Sequence, residues 1–454
     1  MSFWDNLFTF TVVVLSFLFR HIFGARHRFV WTPIVFGFYL AGECGLIRLA
    51  GNWYLYQLIR LFITFAKAYL LCGFALAPWK RNPAVPLFLL FWGYFQFAVV
   101  FGEAPLGAFY FYLKSLEIVA IGYYAGIWAV TTPGGVRRLF LWGAAAAGVV
   151  ALSWINQGGL LSSSSMDFEQ GRAGVSLDKF DADTVKLLFN VNGIALVLSA
   201  VIPYAFLFIF EKERLWMRIA AMGVTFVLVI LIVRTGARNG ALVLLPLGWY
   251  LLCAKTTLTV RKKILIVLVL IGGLGAYFVH MQKDVGQLRA FEIFSDKEEG
   301  DSLGSGRMGM FRLWTQEMGD RKFFGAGAHY DKYYSQRFRV SNLHSMYMQI
   351  WYQSGYVGCA LFLVFVFGFT AQALRARNNP YRYAALVLFG AWLLTGVGEA
   401  ANINSGGGYA KVALGLALAL CSRRRIPDAD APCADAPVVP RGGPPLPHAP
   451  QHGY

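Results

Sequence analysis

Residues 84–102 read AVPLFLLFWGYFQFAVVFG, a run with no charged side chain that follows directly on the basic pair Lys80 and Arg81. A helix of about 20 apolar residues crosses a hydrocarbon core of about 30 Å. The whole chain has the same character, with 57% hydrophobic and 14% charged residues and a mean hydropathy of +0.52. This composition is too apolar for a soluble domain. The sequence therefore predicts an all-α polytopic membrane protein.

Similar apolar segments recur along the 454 residues and predict about twelve transmembrane helices. The predicted spans are 29–49, 53–78, 84–102, 107–130, 137–154, 187–210, 216–233, 238–254, 263–280, 344–372, 383–400 and 407–422. The aromatic, amphipathic segment 4–22 is either a thirteenth span or a helix in the membrane interface. The transmembrane bundle thus occupies residues 1–425, and the Pro-rich segment 426–454 is predicted to be a disordered cytoplasmic tail.

The formal charge of +17 is concentrated in short basic clusters between the predicted spans. Under this assignment the clusters at 20–28, 80–81, 137–138, 212–218, 255–263, 375–382 and 423–425 all fall on one side. Short loops rich in Lys and Arg stay in the cytoplasm, so the clusters indicate topology and argue against nucleic-acid binding. The six cysteines show no C-x-x-C spacing, which argues against zinc and against a disulfide framework.

Two long connections, about 155–186 and about 281–343, lie on the opposite, periplasmic face. Connections of this length are usually functional or disordered. The second contains charged and aromatic residues and helix-like stretches, for instance at 308–318. We expect it to fold over the bundle as a helical cap.

Several arginines on this outer face break the charge rule and need a separate explanation. They are Arg172, Arg234, Arg238, Arg307, Arg312, Arg321, Arg337 and Arg339. Because the guanidinium group binds phosphate through two parallel hydrogen bonds, arginines at one membrane face suit the diphosphate of a lipid carrier, without a metal. The alternative is that they are solvated charges or bind lipid headgroups, and it is favoured for Arg312, Arg321, Arg337 and Arg339. For Arg234 and Arg238, at a glycine-containing turn at membrane depth, a cavity lining is favoured.

Five further residues carry polar chemistry at or within the membrane. His344 begins the predicted span after the cap, where a neutral imidazole acts either as a general base or only as a capping group. Lys67 and Glu117 lie near the middle of two spans, and buried charges need partners. They predict a structural ion pair, with an ion path as the alternative. Glu399 and Lys411, near the last two spans, could likewise form a structural pair or part of an ion path, and the structural role is favoured.

The order of motifs from 307 to 358 resembles the superfamily of O-antigen ligases and Wzy-type polymerases, which also includes some protein O-oligosaccharyltransferases. That family has an arginine opening a helix, a Gly-x-Gly turn, His-Asn-x-Tyr-Leu-Gln and then Gly-x-x-Gly. Here the matching residues are Arg307, Gly325-Ala-Gly327, His344-Ser-Met-Tyr347-Met-Gln349 and Gly355-Tyr-Val-Gly358. Upstream, Arg238 in Arg234-Thr-Gly-Ala-Arg238-Asn-Gly240, and Arg172 ahead of Asn192-Gly-Ile-Ala195, are similar to further family motifs.

The resemblance implies a GT-C-like, metal-independent glycosyltransferase without a cofactor that uses an undecaprenyl-diphosphate-linked glycan. Arg238, Arg307 and Arg172, with Arg234 beside them, would bind the diphosphate, and His344 would deprotonate or orient the acceptor hydroxyl. Direct displacement would invert the anomeric centre. The acceptor is lipid A-core for a ligase, which the single large cap favours, or another lipid-linked glycan for a polymerase. A transporter of lipid-linked sugars is a further alternative, but it should show repeat symmetry and a charged path across the membrane, and neither is evident.

Overall fold

The computed structural model describes residues 25–44, 53–74, 82–99, 105–156, 191–234, 242–254, 345–397 and 408–421, with short stretches at 14, 18, 166–167, 172–173, 240, 318–325 and 327. These residues form eleven α-helices, two short strands and a 3-10 helix at Gly319–Lys322. The helices are α1 (Ala25–Glu43), α2 (Trp53–Phe74), α3 (Ala84–Val99), α4 (Pro105–Thr131), α5 (Gly135–Asn156), α6 (Val191–Phe208), α7 (Leu215–Arg234), α8 (Leu244–Ala254), α9 (Met346–Arg375), α10 (Arg382–Thr395) and α11 (Gly408–Leu420). Strands β1 (Met166–Asp167) and β2 (Arg172–Ala173) pair antiparallel in the first outer connection.

The helices confirm a multi-pass helical membrane protein. Four of them contain segments long and apolar enough to cross a membrane: Leu113–Thr131, Gly135–Ile155, Leu215–Ile232 and Met346–Arg375. Five shorter apolar helices accompany them in the described part of the chain. Each predicted span except 263–280 contains a helix, and that span, like most of 4–22 and all of 426–454, lies outside the described residues. The count of twelve spans therefore stays a prediction.

An aromatic cluster joins α3, α9 and α10. The rings of Phe91 and Phe365 stack with centroids 6.3 Å apart. Phe365 also meets Phe389 edge-on at 5.7 Å, and Phe369 lies 4.1 Å from Phe389. Offset and edge-to-face ring pairs stabilise a core beyond the area they bury. These contacts fix α10 against the C-terminal half of α9.

Helices α4 and α11 pack closely and run parallel, because Gly408 lies beside Ile118 and Gly126 lies beside Ala419. A methyl group added at Gly122 would overlap the carbonyl oxygen of Val412, and one at Gly415 would overlap that of Val119. Small residues let membrane helices approach closely. Close approach matters in lipid because van der Waals contacts, rather than the hydrophobic effect, drive the packing of helices there. The close approach places the start of α11 beside the middle of α4.

The helix ends next to the basic clusters meet at one face, as the topology predicts. Gln372 Nε2 donates to Asn82 Oδ1 at 2.8 Å and to the Cys421 carbonyl at 2.9 Å. Asn82 Nδ2 donates to the Leu418 carbonyl. Arg137 Nε forms an ion pair with Glu213 Oε1 at 2.8 Å. Side-chain amides thus satisfy the last carbonyls of α11, which have no partner within the helix.

The predicted ion pair between Lys67 and Glu117 is present, with Nζ and Oε1 separated by 2.8 Å. Lys411, one turn into α11, is fully buried, and the carboxylate of Glu43 lies against Gly408 at the start of the same helix, where it attracts Lys411. A carboxylate at a helix N-terminus is stabilised by the helix dipole. Glu43 is therefore the acid beside Lys411 in the described residues, whereas Glu399 lies outside them.

Replacing Gln372 with leucine should lower the free energy of unfolding by about 1–3 kcal/mol, because the buried Cys421 carbonyl loses its side-chain donor. Denaturant titration in detergent micelles measures the effect. Thr370→Val is the matched control, since the Thr370 hydroxyl donates only within its own helix, to the Val366 carbonyl at 2.8 Å. Equal stability of the Gln372→Leu and Thr370→Val proteins would contradict a role for this network.

Candidate functional site

Helix α9 is not one continuous span, as the hydropathy predicted, but two helices that meet at Gly355. This residue has φ +61° and ψ −161°, far from helical values. The rings of Tyr347 and Phe362 lie 5.9 Å apart, whereas a straight helix would separate these residues by about 22 Å along its axis. The chain therefore bends sharply, and segment 346–354 folds back beside the first turns of the segment that follows Gly355.

Residues 318–327, which we call the cap segment, supply the hydrogen bonds that the bend removes from the helix. After the 3-10 helix, the Gly325 amide donates to the Arg321 carbonyl at 2.7 Å and turns the chain. The Val357 amide then donates to the Phe323 carbonyl at 3.2 Å, and the Gly327 amide donates to the Gln353 carbonyl at 3.1 Å. The structure thus brings together the Gly-x-Gly and Gly-x-x-Gly motifs, which are about 30 residues apart in the sequence.

Glycine is required on both sides of this contact. Gly325 has φ +91°, and an added methyl group would overlap the backbone of Gln353 and Ser354. The same group at Gly355 would overlap the backbone of Phe323 and Gly325. A positive φ is costly for residues with a Cβ atom, so conformation and space both exclude side chains here.

The N-terminus of α9 is held against the end of α10. The Met346 amide donates to the Gly396 carbonyl at 2.8 Å, and the Tyr347 hydroxyl donates to the Leu393 carbonyl at 2.7 Å. Ser345 is buried, with 7% of its surface exposed. Because His344 directly precedes Ser345 in the sequence, the backbone that carries the predicted base leads into a fixed, buried position.

The short helix 346–354 carries buried polar side chains that the sequence analysis did not single out. Gln349, Gln353 and Ser354 are all buried, and the Ser354 hydroxyl donates to the Ile350 carbonyl at 2.6 Å. Gln349 was noted only as part of the motif, whereas Gln353 and Ser354 were missed. The signal was present in the sequence, because two glutamines four residues apart lie on the same face of a helix.

A second pair of motifs meets between α6 and the turn before α8. A methyl group added at Gly240 would contact Cβ of Ala195, and the Ser199 hydroxyl lies 2.6 Å from the Ala195 carbonyl and 3.0 Å from the Gly240 carbonyl. Gly240 follows Arg238 by two residues, and Ala195 ends the Asn192-Gly-Ile-Ala195 motif. The structure therefore joins the last residues of two sequence motifs.

Helix α10 connects the two pairs of motifs. Pro246 of α8 packs against Gly390 in its middle, and Met346 binds its end at Gly396. The rings of Trp249 on α8 and Tyr383 near the start of α10 lie 5.8 Å apart, so the two helices run antiparallel. The turn before α8 therefore lies toward the same end of α10 as Gly396. Gly240 and Ser345, which flank the predicted site residues in the sequence, consequently lie at the same end of α10.

Most of the predicted site residues fall outside the described residues: His344, Arg238 and Arg307, as well as Arg312, Arg337 and Arg339. The backbone of Arg172 lies in β2 opposite Asp167, and Arg234 is the last residue of α7. The side chains of both lie outside the described residues. Arg321 is exposed beside the cap turn, as expected for a solvated charge. The convergence of the arginines and His344 therefore stays a prediction.

Comparison with known families supports the resemblance seen in the motifs. Residues 223–363 match a family model described as O-antigen ligase, which confirms the relation to the O-antigen ligase and Wzy-type polymerase superfamily. The match covers less than a third of the chain and includes Arg234, Arg238, Arg307 and His344, but not Arg172 or Asn192. The comparison with curated proteins gave no match.

The bend at Gly355 gives a test with graded controls. Gly355→Ala should lower the free energy of unfolding by about 2 kcal/mol or more, because it combines a positive φ with overlap on the cap backbone. Gly134→Ala should cost only about 1 kcal/mol, since Gly134 has φ +66° but open space around it. Thermal and denaturant unfolding of the purified proteins measure both.

Gly93→Ala completes the series, because Gly93 lies within α3 with nothing near an added methyl group. We expect this variant to be neutral or up to about 1 kcal/mol more stable, as alanine favours helices. A Gly355→Ala protein no less stable than Gly134→Ala would show that the cap does not pack against the bend.

Proposed function

We propose that this chain, whose residues 223–363 relate it to the O-antigen ligase and Wzy-type polymerase superfamily, is a glycosyltransferase of the bacterial inner membrane. It transfers a glycan from undecaprenyl diphosphate to an acceptor hydroxyl at the periplasmic face. The observation that carries the proposal is the fixed position of Ser345, buried where the start of α9 binds the end of α10. A general base must be held within hydrogen-bond reach of its proton, and this anchor adjoins His344.

Arg238 and Arg307, with Arg172 and Arg234, bind the diphosphate of the donor in this proposal. Their guanidinium groups remain charged and form bidentate hydrogen bonds to phosphate, so they hold the donor and stabilise the charge of the leaving group without a metal. The packing of Gly240 on Ala195 supports this role for Arg238, because it fixes the turn two residues away.

His344 accepts the proton of the acceptor hydroxyl as the reaction proceeds. The hydroxyl oxygen attacks the anomeric carbon, a new glycosidic bond forms and the bond from that carbon to the diphosphate oxygen breaks. The proton moves to the imidazole, and undecaprenyl diphosphate leaves. Because attack and departure occur on opposite faces of the sugar, a single displacement inverts the anomeric centre.

The acceptor that we propose is lipid A-core, which makes the chain an O-antigen ligase of lipopolysaccharide biosynthesis. A Wzy-type polymerase would use the same donor with a second lipid-linked glycan as acceptor. The predicted twelve spans and single large cap at 281–343 resemble the ligase branch of the superfamily and favour the ligase. The acceptor itself distinguishes these reactions in an assay.

The test is transfer in detergent by the purified protein, with undecaprenyl-diphosphate glycan and lipid A-core as substrates. We expect glycan-capped lipid A-core from the native protein, with and without EDTA. His344→Ala and Arg307→Ala should each reduce the rate by about 100-fold or more, as expected for loss of a general base or of a charge-stabilising group.

Arg321→Ala is the matched control, because Arg321 is an exposed arginine of the same cap and should leave transfer near the native rate. Longer lipid-linked chains with unmodified lipid A-core would identify a polymerase. Full activity of a folded His344→Ala protein would refute the role of the base. The absence of any new glycosidic bond with intact donor would refute the enzymatic function.

A further inference from the structure

Helices α2 and α4 pack side by side and carry a line of polar residues between them, which we call the α2–α4 groove. On α2, Arg60, Thr64 and Lys67 follow the i, i+4, i+7 spacing of one helix face. On α4, Lys114 and Glu117 are three residues apart and share a face. The groove is therefore a charged seam in two otherwise apolar helices.

The ion pair of Lys67 and Glu117 fixes the alignment of the two helices, and its two charges cancel each other. The two side chains retain 28% and 27% of their surface, so the groove is open to its surroundings. Toward the N-terminal ends of the helices, Lys114 lies one turn from Glu117 and Arg60 lies two turns from Lys67. Those ends point away from the face where the basic clusters meet.

Arg60 and Lys114 are the charges that this pair does not neutralise. Both side chains are exposed. Within the described part of the chain, neither lies at ion-pair distance from a carboxylate. Lys114 is also repelled by the buried Lys411. Among the described residues, the open part of the groove thus carries two positive charges without a paired carboxylate.

The surroundings of these charges are apolar. Leu113, next to Lys114 on α4, keeps 44% of its surface free and is suited to lipid. Arg60 lies about 10 Å and Lys114 about 13 Å inside the starts of their helices, within the outer half of a hydrocarbon core about 30 Å thick. Charges at this depth are costly unless they line a wet cavity or meet a group of opposite charge.

We propose that the α2–α4 groove binds the phosphate of a lipid in the outer leaflet, at a site separate from the donor diphosphate. Arg60 offers a planar fork and Lys114 a point charge, and both favour phosphate. Basic pockets between membrane helices recognise phosphorylated headgroups in this way. The phosphate belongs either to a bulk anionic phospholipid or to a phosphorylated glycolipid such as lipid A.

Native mass spectrometry of the purified full-length protein tests binding. The lipids are phosphatidylglycerol, bisphosphorylated lipid A, lipid A without phosphates, and diacylglycerol. We expect the native protein to retain phosphorylated lipids in preference to the neutral ones. The Arg60→Gln/Lys114→Gln double variant should bind them at least about tenfold more weakly, since it loses charge-assisted hydrogen bonds. Preference for phosphatidylglycerol or for lipid A then identifies the source of the phosphate.

Two control variants separate charge from fold. Arg377→Gln removes an exposed cation at the opposite face and should leave binding unchanged. Arg60→Lys/Lys114→Arg keeps both charges and should retain binding, even if the neutral double variant folds poorly. Unchanged binding in the Gln double variant, or equal loss in Arg377→Gln or in the charge-keeping variant, would overturn the proposal. The readout is binding rather than glycan transfer, so its failure is distinct from failure of the proposed enzyme.

Discussion

The two hydrogen bonds between the cap segment and the bend at Gly355 are the constraint on which the geometry of the candidate site depends. A break in a membrane helix exposes an amide and a carbonyl, and each costs several kcal/mol if it is left unpaired in an apolar medium. Here the Phe323 carbonyl accepts from Val357 and the Gly327 amide donates to Gln353. Contact with residues 323–327 therefore stabilises the bend, and we expect this segment and α9 to fold together.

Helix α10 turns this local constraint into a site. Aromatic contacts pack it against α9, and its C-terminal end accepts hydrogen bonds from Met346 and Tyr347. Its middle packs against α8, whose preceding turn ends at Gly240. Two family motifs more than 100 residues apart in the sequence thus reach one end of a single helix. A rigid scaffold of this kind is what a preorganised donor and acceptor site requires.

Features governed by local chemistry could be predicted from the sequence, whereas the geometry of the site could not. Hydropathy located the helices, and the need to neutralise Lys67 in lipid predicted its pair with Glu117. The bend escaped prediction because residues 344–372 are apolar enough on average for one span, despite the polar Gln353 and Ser354 just before Gly355. A Gly-x-x-Gly spacing also equally suits close helix packing. Only contact with Gly325, distant in the sequence, determines its conformation. The mutual placement of Arg238, Arg307 and His344 depends on tertiary structure in the same way.

The cationic side chains of the described helices fall into two groups, those that lie near a carboxylate and those that do not. A chain with net charge +17 must place its cations where they are solvated or paired. The helix ends beside several basic clusters meet at one face, Lys67 pairs with Glu117, and Lys411 lies near Glu43. On the other half of the bundle, Arg60 and Lys114 lie in membrane helices without a paired carboxylate among the described residues. The proposed transfer joins two phosphorylated lipid substrates, and the proposed donor site alone would leave the charges of this groove without a role.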